Sequence, residues 1–287
     1  MKLKITFLMI LFTSLSSFAQ LEGILGTMTN KDVESYTTPL ATTVGTALNS
    51  GVYSSAHIPK SFGLSIAFNA IYVMIPDEQR TYQPSSLDTA KGYNNTTKVS
   101  TIFGPTGSKI FTGGDGMAAF PGGFNLAHAT FVLPQISLHA YHTELLVRYF
   151  PGIKIVDKKF NLLGLGVRHS FGQYFNLPVD VSIHGFYNSF KVDELVSSTN
   201  TAFGIAVSKT FGMLTPYGGI QMESSDMKFN YEKTELGKEI KVNTEVKGEN
   251  KLRLTIGAEF RYELIALHLD YNLGNQGTAI AGITLKF

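Results

Sequence analysis

The chain has no cysteine and no tryptophan among its 287 residues. Without cysteine, neither a disulfide framework nor an acylated-cysteine lipoprotein anchor is available. Beyond the N-terminal segment no stretch reaches the ~18 uninterrupted apolar residues that indicate a transmembrane helix, while 28 glycines argue against an ordinary helical enzyme. A disulfide-stapled secreted scaffold and a helical membrane protein are therefore excluded, and stability has to come from a large core or from lipid.

The first nineteen residues have the pattern of a secretory signal peptide. Lys2 and Lys4 precede an apolar run from Ile5 to Leu15, and small residues lead to a predicted cleavage after Ala19. An N-terminal membrane anchor is disfavoured because the run is shorter than the ~20 residues of a spanning helix. Removal of the two lysines from 24 basic residues leaves 22 basic against 22 acidic residues. This balance argues against a nucleic-acid partner.

The dominant pattern is a two-residue alternation of apolar and polar side chains, which predicts β-strands. In residues 251–262, one parity carries Leu252, Leu254 and Ile256 while the other carries Lys251 and Arg253. Related segments occur at 62–74, 131–140, 143–150, 160–170, 179–190, 200–211, 215–231, 264–274 and 278–287. We therefore expect about ten strands.

Such strands fit either a soluble sandwich with a dry core or a membrane barrel with a polar lumen. Three features favour the barrel: segments of the ~9 to 11 residues that cross a bilayer, aromatic residues at strand ends, and connections that alternate in length. The connections are mostly short near 141–142, 171–178, 212–214 and 263–264, and longer at 76–130, 151–159, 191–199 and 232–245, with a short exception at 274–277. The sequence predicts an all-β, transmembrane antiparallel up-and-down β-barrel in the cell outer membrane.

Residues 20–60 have helical rather than strand spacing. Thr38 and Pro39 suit the N-cap and first position of a helix, and Gly51 suits its C-terminal end. We expect a short N-terminal helical segment in the periplasm, packed on the barrel mouth. A plug inside the lumen is the alternative.

The segment from Pro76 to Thr130 is longer than ordinary loops and rich in glycine, serine, threonine and asparagine. It could form a lid, fold into the lumen or contain an extra hairpin around 97–111. In that last case the barrel would have twelve strands.

Familiar metal and phosphate sites are weak in this sequence. The glycine-rich stretch 103–116 lacks the residue order of a phosphate-binding loop. His139 and His142 flank a tight turn without a third ligand nearby. We expect no metal and no cofactor.

Catalytic constellations are equally sparse. His268 shares a strand face with Asp270, and Ser182 shares one with His184, but such two-residue coincidences arise by chance in polar lumens. We expect no catalytic residues, and a lipid-modifying outer-membrane enzyme is the third functional hypothesis.

Charged residues fall on the polar parity of the strands, where they would face the lumen and avoid a cost of ~2 to 4 kcal/mol near the middle of the bilayer. The candidates for a salt-bridged lumen or a solute path are Glu144, Arg148, Arg168, Asp180, His184, Arg253, Glu259, Arg261, His268, Asp270 and Lys286.

Three stretches resemble an uncharacterised family of outer-membrane β-barrels from the Bacteroidota, a domain of unknown function. They are TELLVRYFP at 143–151, LLGLGVRHSFGQYFNLPVDVS at 162–182 and TPYGGIQMESSDMKFNYE at 215–232. More distantly, the plan is similar to that of fatty-acid and aromatic-hydrocarbon channels with an N-terminal hatch. The resemblance implies the fold and the location, and transport only by analogy.

The leading functional hypothesis is passive uptake of a small apolar or amphipathic solute by a monomer, through the lumen or a lateral opening. The alternative is a structural, assembly or partner-binding role with a filled lumen. Outer-membrane lipid and the barrel-assembly machinery are the other expected partners.

The chain ends on Phe287 after an alternating segment whose apolar parity is Ala279, Ala281, Ile283 and Leu285. This segment should close the barrel by pairing with the strand near residue 62, because an open edge cannot persist in a bilayer.

Phe287 also resembles the terminal aromatic signal by which outer-membrane barrels are recognised for insertion. Deletion of Phe287 should lower the fraction of folded protein in outer membranes, measured by the heat-dependent shift in electrophoretic mobility. Phe287→Tyr keeps the aromatic ring and serves as the control. Normal insertion of the deletion variant would contradict the assembly role.

Overall fold

The computed structural model describes residues 28–87, 97–113, 116–155, 158–175, 177–235 and 238–287. The predicted signal peptide at 1–19 lies outside the described residues. No helix within these ranges combines the length and apolar character needed to cross a membrane.

Two helices, one 3-10 helix and fifteen strands make up the described fold. The helices are α1 (Asn30–Leu48) and α2 (Gly172–Phe175), and the 3-10 helix is Asp77–Arg80. The first strands are β1 (Gly63–Met74), β2 (Thr81–Tyr82), β3 (Val99–Ser100), β4 (Lys109–Gly113), β5 (Gly116–Phe120), β6 (His128–Ala140), β7 (Thr143–Ile155) and β8 (Lys158–Ser170). The remaining strands are β9 (Asp180–Val192), β10 (Val196–Ser208), β11 (Leu214–Glu235), β12 (Lys238–Lys247), β13 (Leu252–Tyr262), β14 (Ile265–Leu273) and β15 (Thr278–Lys286).

Ten strands close into one antiparallel barrel, as the sequence predicted. Around the ring they run β1, β6, β7, β8, β9, β10, β11, β13, β14 and β15. The last strand pairs with the first, with Ser65 opposite Lys286 and Val73 opposite Thr278. The predicted pairing of the last strand with the first is thus confirmed, and neither of these two strands leaves an open edge.

Strand β11 is long enough to pair with two partners along one edge. Its first part, Leu214–Met222, pairs with β13, and its second part, from Asp226 to Glu235, pairs with β12. β12 and β13 therefore occupy one position of the ring in succession, interrupted between Lys247 and Leu252. The pair β11–β12 forms a hairpin that extends the wall.

Three predicted long connections are wrong in extent. In place of the predicted 151–159 loop, β7 continues to Ile155 and β8 begins at Lys158. In place of the predicted 191–199 loop, only residues 193–195 separate β9 from β10. The 232–245 loop is largely the β11–β12 hairpin. The alternation fades in these parts because polar residues occupy both parities of the sequence, so the pattern stops marking strands that continue.

The outward parity of the wall is apolar and exposed. Leu254, Ile256 and Leu269 are 53%, 68% and 68% exposed, and the outward residues of β15 include Ile283 and Leu285 at 43% and 36%. An apolar outer surface of this kind suits contact with lipid, as in membrane barrels.

Helix α1 lies inside the barrel and begins nine residues before the predicted start. Thr29 is the N-cap, accepting a hydrogen bond from the Asp32 backbone N–H at 3.2 Å, and Pro39 stands within the helix. The assignment of Thr38 and Pro39 as cap and first residue is therefore wrong. Burial on nearly all sides, including Tyr36 and Ala47 at 0% exposure, overrides the helix-breaking tendency of Pro39.

The helix approaches the wall closely on one side. A Cβ atom at Gly45 would lie 1.8 Å from Ser225 Oγ of β11, so only glycine fits there without a shift. Four threonine hydroxyls, those of Thr37, Thr38, Thr42 and Thr43, donate to carbonyls one turn earlier. A narrow, glycine- and threonine-containing helix therefore fits the lumen.

Residues 75–87, 97–113 and 116–127 form a cap on one end of the barrel rather than an extra pair of barrel strands. β2 pairs with β3 and β4 pairs with β5, both apart from the ring, so the hairpin expected around 97–111 lies at 109–120 and the twelve-strand alternative is wrong. Leu87, Val99 and Phe120 form its small core. Burial raises the pKa of the Tyr82 phenol, helped by the nearby Asp32 carboxylate.

Candidate functional site

The candidate site is the lumen, which holds the segment that we call the plug, residues 30–60. The plug comprises α1 and the extended chain that links it to β1. At the cap end of the barrel, the Asp32 carboxylate accepts from Ser85 N at 2.8 Å and Tyr36 Oη donates to the Gly122 carbonyl at 3.0 Å.

At the opposite end, the plug is fixed to the mouth where the barrel strands begin and end. Lys60 and Pro59 carbonyls accept from the backbone of Tyr141 and His142 in the two-residue β6–β7 turn. The plug therefore runs through the barrel from the cap to this mouth. The described part of the segment 20–60 therefore has the position expected for the plug alternative and is not packed on the barrel mouth, because the helix buries its apolar residues within the lumen.

The C-terminal end of α1 meets a set of wall donors, which we call the clamp: Arg148, Asn188, Gln221 and Arg253. Arg148 Nη1 donates to the Leu48 carbonyl at 2.7 Å and Arg253 Nη2 to the Thr46 carbonyl at 2.8 Å. The last carbonyls of a helix lack intrahelical partners and carry partial negative charge. The clamp therefore satisfies these carbonyls with cationic and amide donors.

The two amides complete the clamp. Asn188 Nδ2 donates to the Leu48 carbonyl and Gln221 Nε2 to the Asn49 carbonyl, both at 3.1 Å. Asn188 and Gln221 are 0% and 3% exposed. Neither amide is among the predicted lumen residues, because the inward charges alone marked those candidates, although both amides occupy the same inward parity.

The two clamp arginines differ in how their charge is balanced. Arg253 Nε donates to Glu223 Oε1 at 2.9 Å, and its Nη2 lies 3.1 Å from Glu223 Oε2. Arg148 instead donates to Gln135 Oε1 and to the carbonyls of Leu48, Ser50 and Gly51. Among the described residues, Arg148 forms no ion pair with a carboxylate.

The predicted lumen charges near the mouth form pairs. Arg168 bonds to Glu144 at 3.0 Å, and Lys286 lies 2.6 Å from Glu259. Asp180 lies 3.0 Å from His57 of the plug. These contacts support the salt-bridged lumen, which is one of the two predicted roles of the inward charges.

Arg261 differs from the other charged candidates because it is exposed. It lines a vestibule of about 990 Å³ at the mouth, together with Glu144, Glu259 and Lys286. Its strand parity is inward, but it lies beyond the level at which the wall encloses the lumen. Arg261 therefore lines the vestibule and is not buried in the lumen.

The possible catalytic pairs are held in a polar network at mid-barrel. His268 Nε2 lies 3.9 Å from Asp270 Oδ2, while the Asp270 carboxylate accepts from Tyr217 Oη at 2.8 Å and from Asn272 Nδ2 at 2.7 Å. His184 Nε2 is 2.9 Å from Gln221 Oε1. The Asp270 carboxylate and His184 therefore have hydrogen bonds within the lumen, whereas both ring nitrogens of His268 and the Ser182 hydroxyl are buried without a hydrogen-bond partner among the described residues.

The two histidines of the turn also have structural contacts. His142 Nδ1 lies 3.0 Å from the Ile58 carbonyl, and His139 lines the vestibule. Within the part of the chain that the structure describes, no cluster of three or more metal-ligating side chains occurs.

The lumen has a polar half and an apolar half. Toward the mouth lie the clamp and the ion pairs, with small cavities of about 60 and 10 Å³ beside residues 49–55. Toward the cap, α1 packs against a cluster that includes Ile71, Leu133, Leu162 and Phe229. The residues of α1 that contact this cluster, among them Val33, Tyr36 and Leu40, are buried.

The wall is incompletely paired between β6 and β7. Each strand has 13 residues, yet the ladder joins only Ile136–Ala140 to Thr143–Val147. Within residues 128–155, pairing stops beyond Ile136 and Val147. We call the facing stretches 128–135 and 148–155 the seam.

Proline and a bulge account for the seam. Pro134 lies in β6 and Pro151 in β7, and neither has a backbone N–H for a ladder. The β7–β8 register also shifts between Phe150 and Ile153, where Gly152 has a φ of 47°. A bulge of this kind bends its strand away from a partner.

Removing the cation from the clamp's ion pair should destabilise the barrel. Arg253→Met leaves the Glu223 carboxylate buried without its partner, which should cost about 3 to 5 kcal/mol in the free energy of unfolding. Arg253→Met combined with Glu223→Gln removes both charges and should cost clearly less. Urea titration monitored by circular dichroism measures the free energy of unfolding of both variants. Equal losses of stability in the single and the double variant would contradict the pairing of Arg253 with Glu223.

Comparison with solved structures finds low overall likeness to several outer-membrane proteins. The toluene transporter TbuX of Ralstonia pickettii is 7% identical, with 85% of this chain and 94% of that chain covered and a TM-score of 0.30. Ail of Yersinia pestis is 10% identical, with coverage of 79% and 97% and a TM-score of 0.27. A loop-deletion mutant of OmpT of Vibrio cholerae is 6% identical, with coverage of 79% and 98% and a TM-score of 0.28.

No curated protein matches the sequence. The profile of a family of unknown function, DUF6588, matches residues 1–287. The chain therefore belongs to the DUF6588 family.

Proposed function

We propose that this outer-membrane barrel admits small apolar or amphipathic solutes through the seam, with the plug as its gate. The observation that carries the proposal is the unpaired seam itself. Eight residues of β6 and eight of β7 face each other there without a ladder. An antiparallel wall would otherwise satisfy these backbone groups by pairing.

The seam lies beside the apolar half of the lumen. Leu133 is 3% exposed and belongs to the cluster around α1, and Phe131 and Phe150 pack against that cluster from the two sides of the seam. A solute that left the barrel here would move from apolar side chains to lipid tails. The polar clamp and the ion pairs lie on the other side of the plug's helix end.

The plug accounts for a closed resting state. α1 fills the apolar half, and the clamp fixes its end at mid-barrel. Transport along this route requires that α1 shift, whereas a permanently water-filled pore is not needed. We therefore expect no steady ionic conductance from the resting protein.

A second candidate function is partner binding by a barrel with a permanently filled lumen. The filled space around α1 favours it, together with a cap that has its own small core of Leu87, Val99 and Phe120. In that case the seam would be a fixed feature of the wall, and blocking it would have no effect on solute passage.

The two candidates differ in what happens when the seam is cross-linked. Val132→Cys with Pro151→Cys places thiols on the two sides of the seam in a chain that has no other cysteine. A bismaleimide cross-link should lower the uptake of 1-naphthol into vesicles with a lipopolysaccharide outer leaflet to the level of protein-free vesicles. The uncross-linked variant and the wild-type protein should both take it up.

The matched control is Leu145→Cys with Val167→Cys, which spans two fully paired strands and faces outward. Its cross-link should leave uptake unchanged. Failure of the wild-type protein to raise uptake, or uptake that persists with a cross-linked seam, would contradict the proposed route.

A further inference from the structure

Three exposed lysines lie together on the outer face of the wall, at the cap ends of β7, β8 and β9. Lys154 of β7 is directly opposite Lys159 of β8, and Lys191 of β9 is opposite Asn161 of β8. The lysines are exposed, whereas the residue after Lys159 and the residue after Lys191 are buried. Because side chains alternate between the two faces of a strand, all three lysines leave the wall on its outer side. We call them the lysine cluster.

The lysine cluster lies just beyond the apolar belt of the wall. Leu163 and Leu165, on the same parity of β8 as Lys159, are 41% and 48% exposed. Tyr187 has the equivalent position below Lys191 on β9 and is 42% exposed. In membrane barrels such a belt contacts lipid tails, and the end with the longer connections faces the cell exterior. The lysine cluster is therefore at the level of the lipid headgroups in the outer leaflet.

The lysine cluster forms no ion pair with a carboxylate in the described part of the chain, whereas Lys228 on the same outer face pairs with Glu245 at 3.2 Å. The nearby Asp193 carboxylate accepts from the Lys159 backbone N–H through Oδ1 at 2.9 Å. Like charges on directly opposite residues destabilise a pair of strands. An anion bound between Lys154 and Lys159 would offset this repulsion.

The bulge in β7 directs the Lys159 side chain toward the lipid. A Cβ atom at Gly152 would lie 2.4 Å from Lys159 Cε and 3.3 Å from both Lys159 Nζ and Asn161 Oδ1. The Lys159 side chain therefore lies over Gly152, which is two residues nearer to the apolar belt than Lys154. An ammonium group and a carboxamide group thus meet at one place on the outer wall, where glycine leaves room for the lysine stem.

These groups suit a phosphate on a lipid headgroup. Lysine ammonium groups bind phosphate oxygens as compact point charges, and the carboxamide of Asn161 adds a polar contact. A free phosphate ion would use these groups alone, whereas a lipid phosphate also brings acyl chains to Leu163 and Tyr187. The adjoining apolar belt therefore favours the lipid.

We propose that the lysine cluster, with Asn161, binds a phosphate group of a phosphorylated lipid in the outer leaflet, whose acyl chains lie along the apolar belt below. The site holds this lipid at a fixed place on the outer side of β7, β8 and β9. It is separate from the lumen and does not depend on solute passage, so it goes beyond the proposed function.

The test measures the binding of lipid A to the folded protein in dodecyl maltoside micelles by native mass spectrometry. Diphosphorylated lipid A should bind about tenfold or more tightly than the same lipid with both phosphates removed. Lys154→Gln, Lys159→Gln and Lys191→Gln together should abolish this difference, because each lysine near an anionic headgroup contributes about fivefold.

The matched control removes three other exposed lysines, with Lys60→Gln, Lys209→Gln and Lys251→Gln. It changes the net charge by the same amount and should keep the preference for phosphorylated lipid A. The heat-dependent mobility shift verifies that each variant is folded. If the cluster variant does not fold, Lys191→Gln alone replaces it and should weaken the binding of phosphorylated lipid A about fivefold.

Equal affinity for lipid A with and without its phosphates would overturn the proposal, and so would an equal loss of preference in the control variant. Displacement of lipid A by millimolar inorganic phosphate would assign the lysine cluster to free phosphate and overturn the lipid site. A preference that is lost only in the cluster variant, and that inorganic phosphate does not remove, supports the proposal.

Discussion

The contact on which the closed barrel depends is that between the Arg148 guanidinium and three plug carbonyls, those of Leu48 at the end of α1 and of Ser50 and Gly51 just beyond it. A helix end presents partial negative charge and unsatisfied acceptors, and Arg148 presents a positive charge that has no carboxylate partner among the described residues. The carbonyls and the guanidinium compensate for each other's loss of hydration, so both can be fully buried. The plug can therefore stay inside a narrow, ten-stranded wall, and the polar and apolar halves of the lumen meet at this level.

The rest of the architecture follows from that position of the plug. A helix inside the barrel needs a close approach at Gly45, a clamp of inward amides and a cap that receives its first turn. The wall in turn is weakest where Pro134 and Pro151 prevent regular pairing, next to the same guanidinium. The contact that holds the plug and the unpaired part of the wall therefore lie next to each other, at Arg148.

Period-two alternation was enough to predict the ten strands, the pairing of the closing strand with β1 and the inward parity of residues such as Arg253 and Glu259. It failed where strands continue with polar residues on both faces, as in the β11–β12 hairpin. The capping pattern of Thr38 and Pro39 placed the helix start nine residues too late, because a proline within a helix is tolerated only where burial is extensive. The partners of Arg148 could not be predicted, since most of them are backbone carbonyls that any residue type supplies.

The position of α1 inside the barrel is tested most directly by a disulfide between the helix and the wall. A Cβ atom at Gly248 would lie 3.3 Å from the Thr42 Cα atom, so Thr42→Cys with Gly248→Cys brings two thiols together in an otherwise cysteine-free chain. Mild oxidation should form the bond in nearly all folded molecules while the heat-dependent mobility shift is retained. Thiols that remain reduced and react rapidly with a water-soluble maleimide would contradict the plugged lumen.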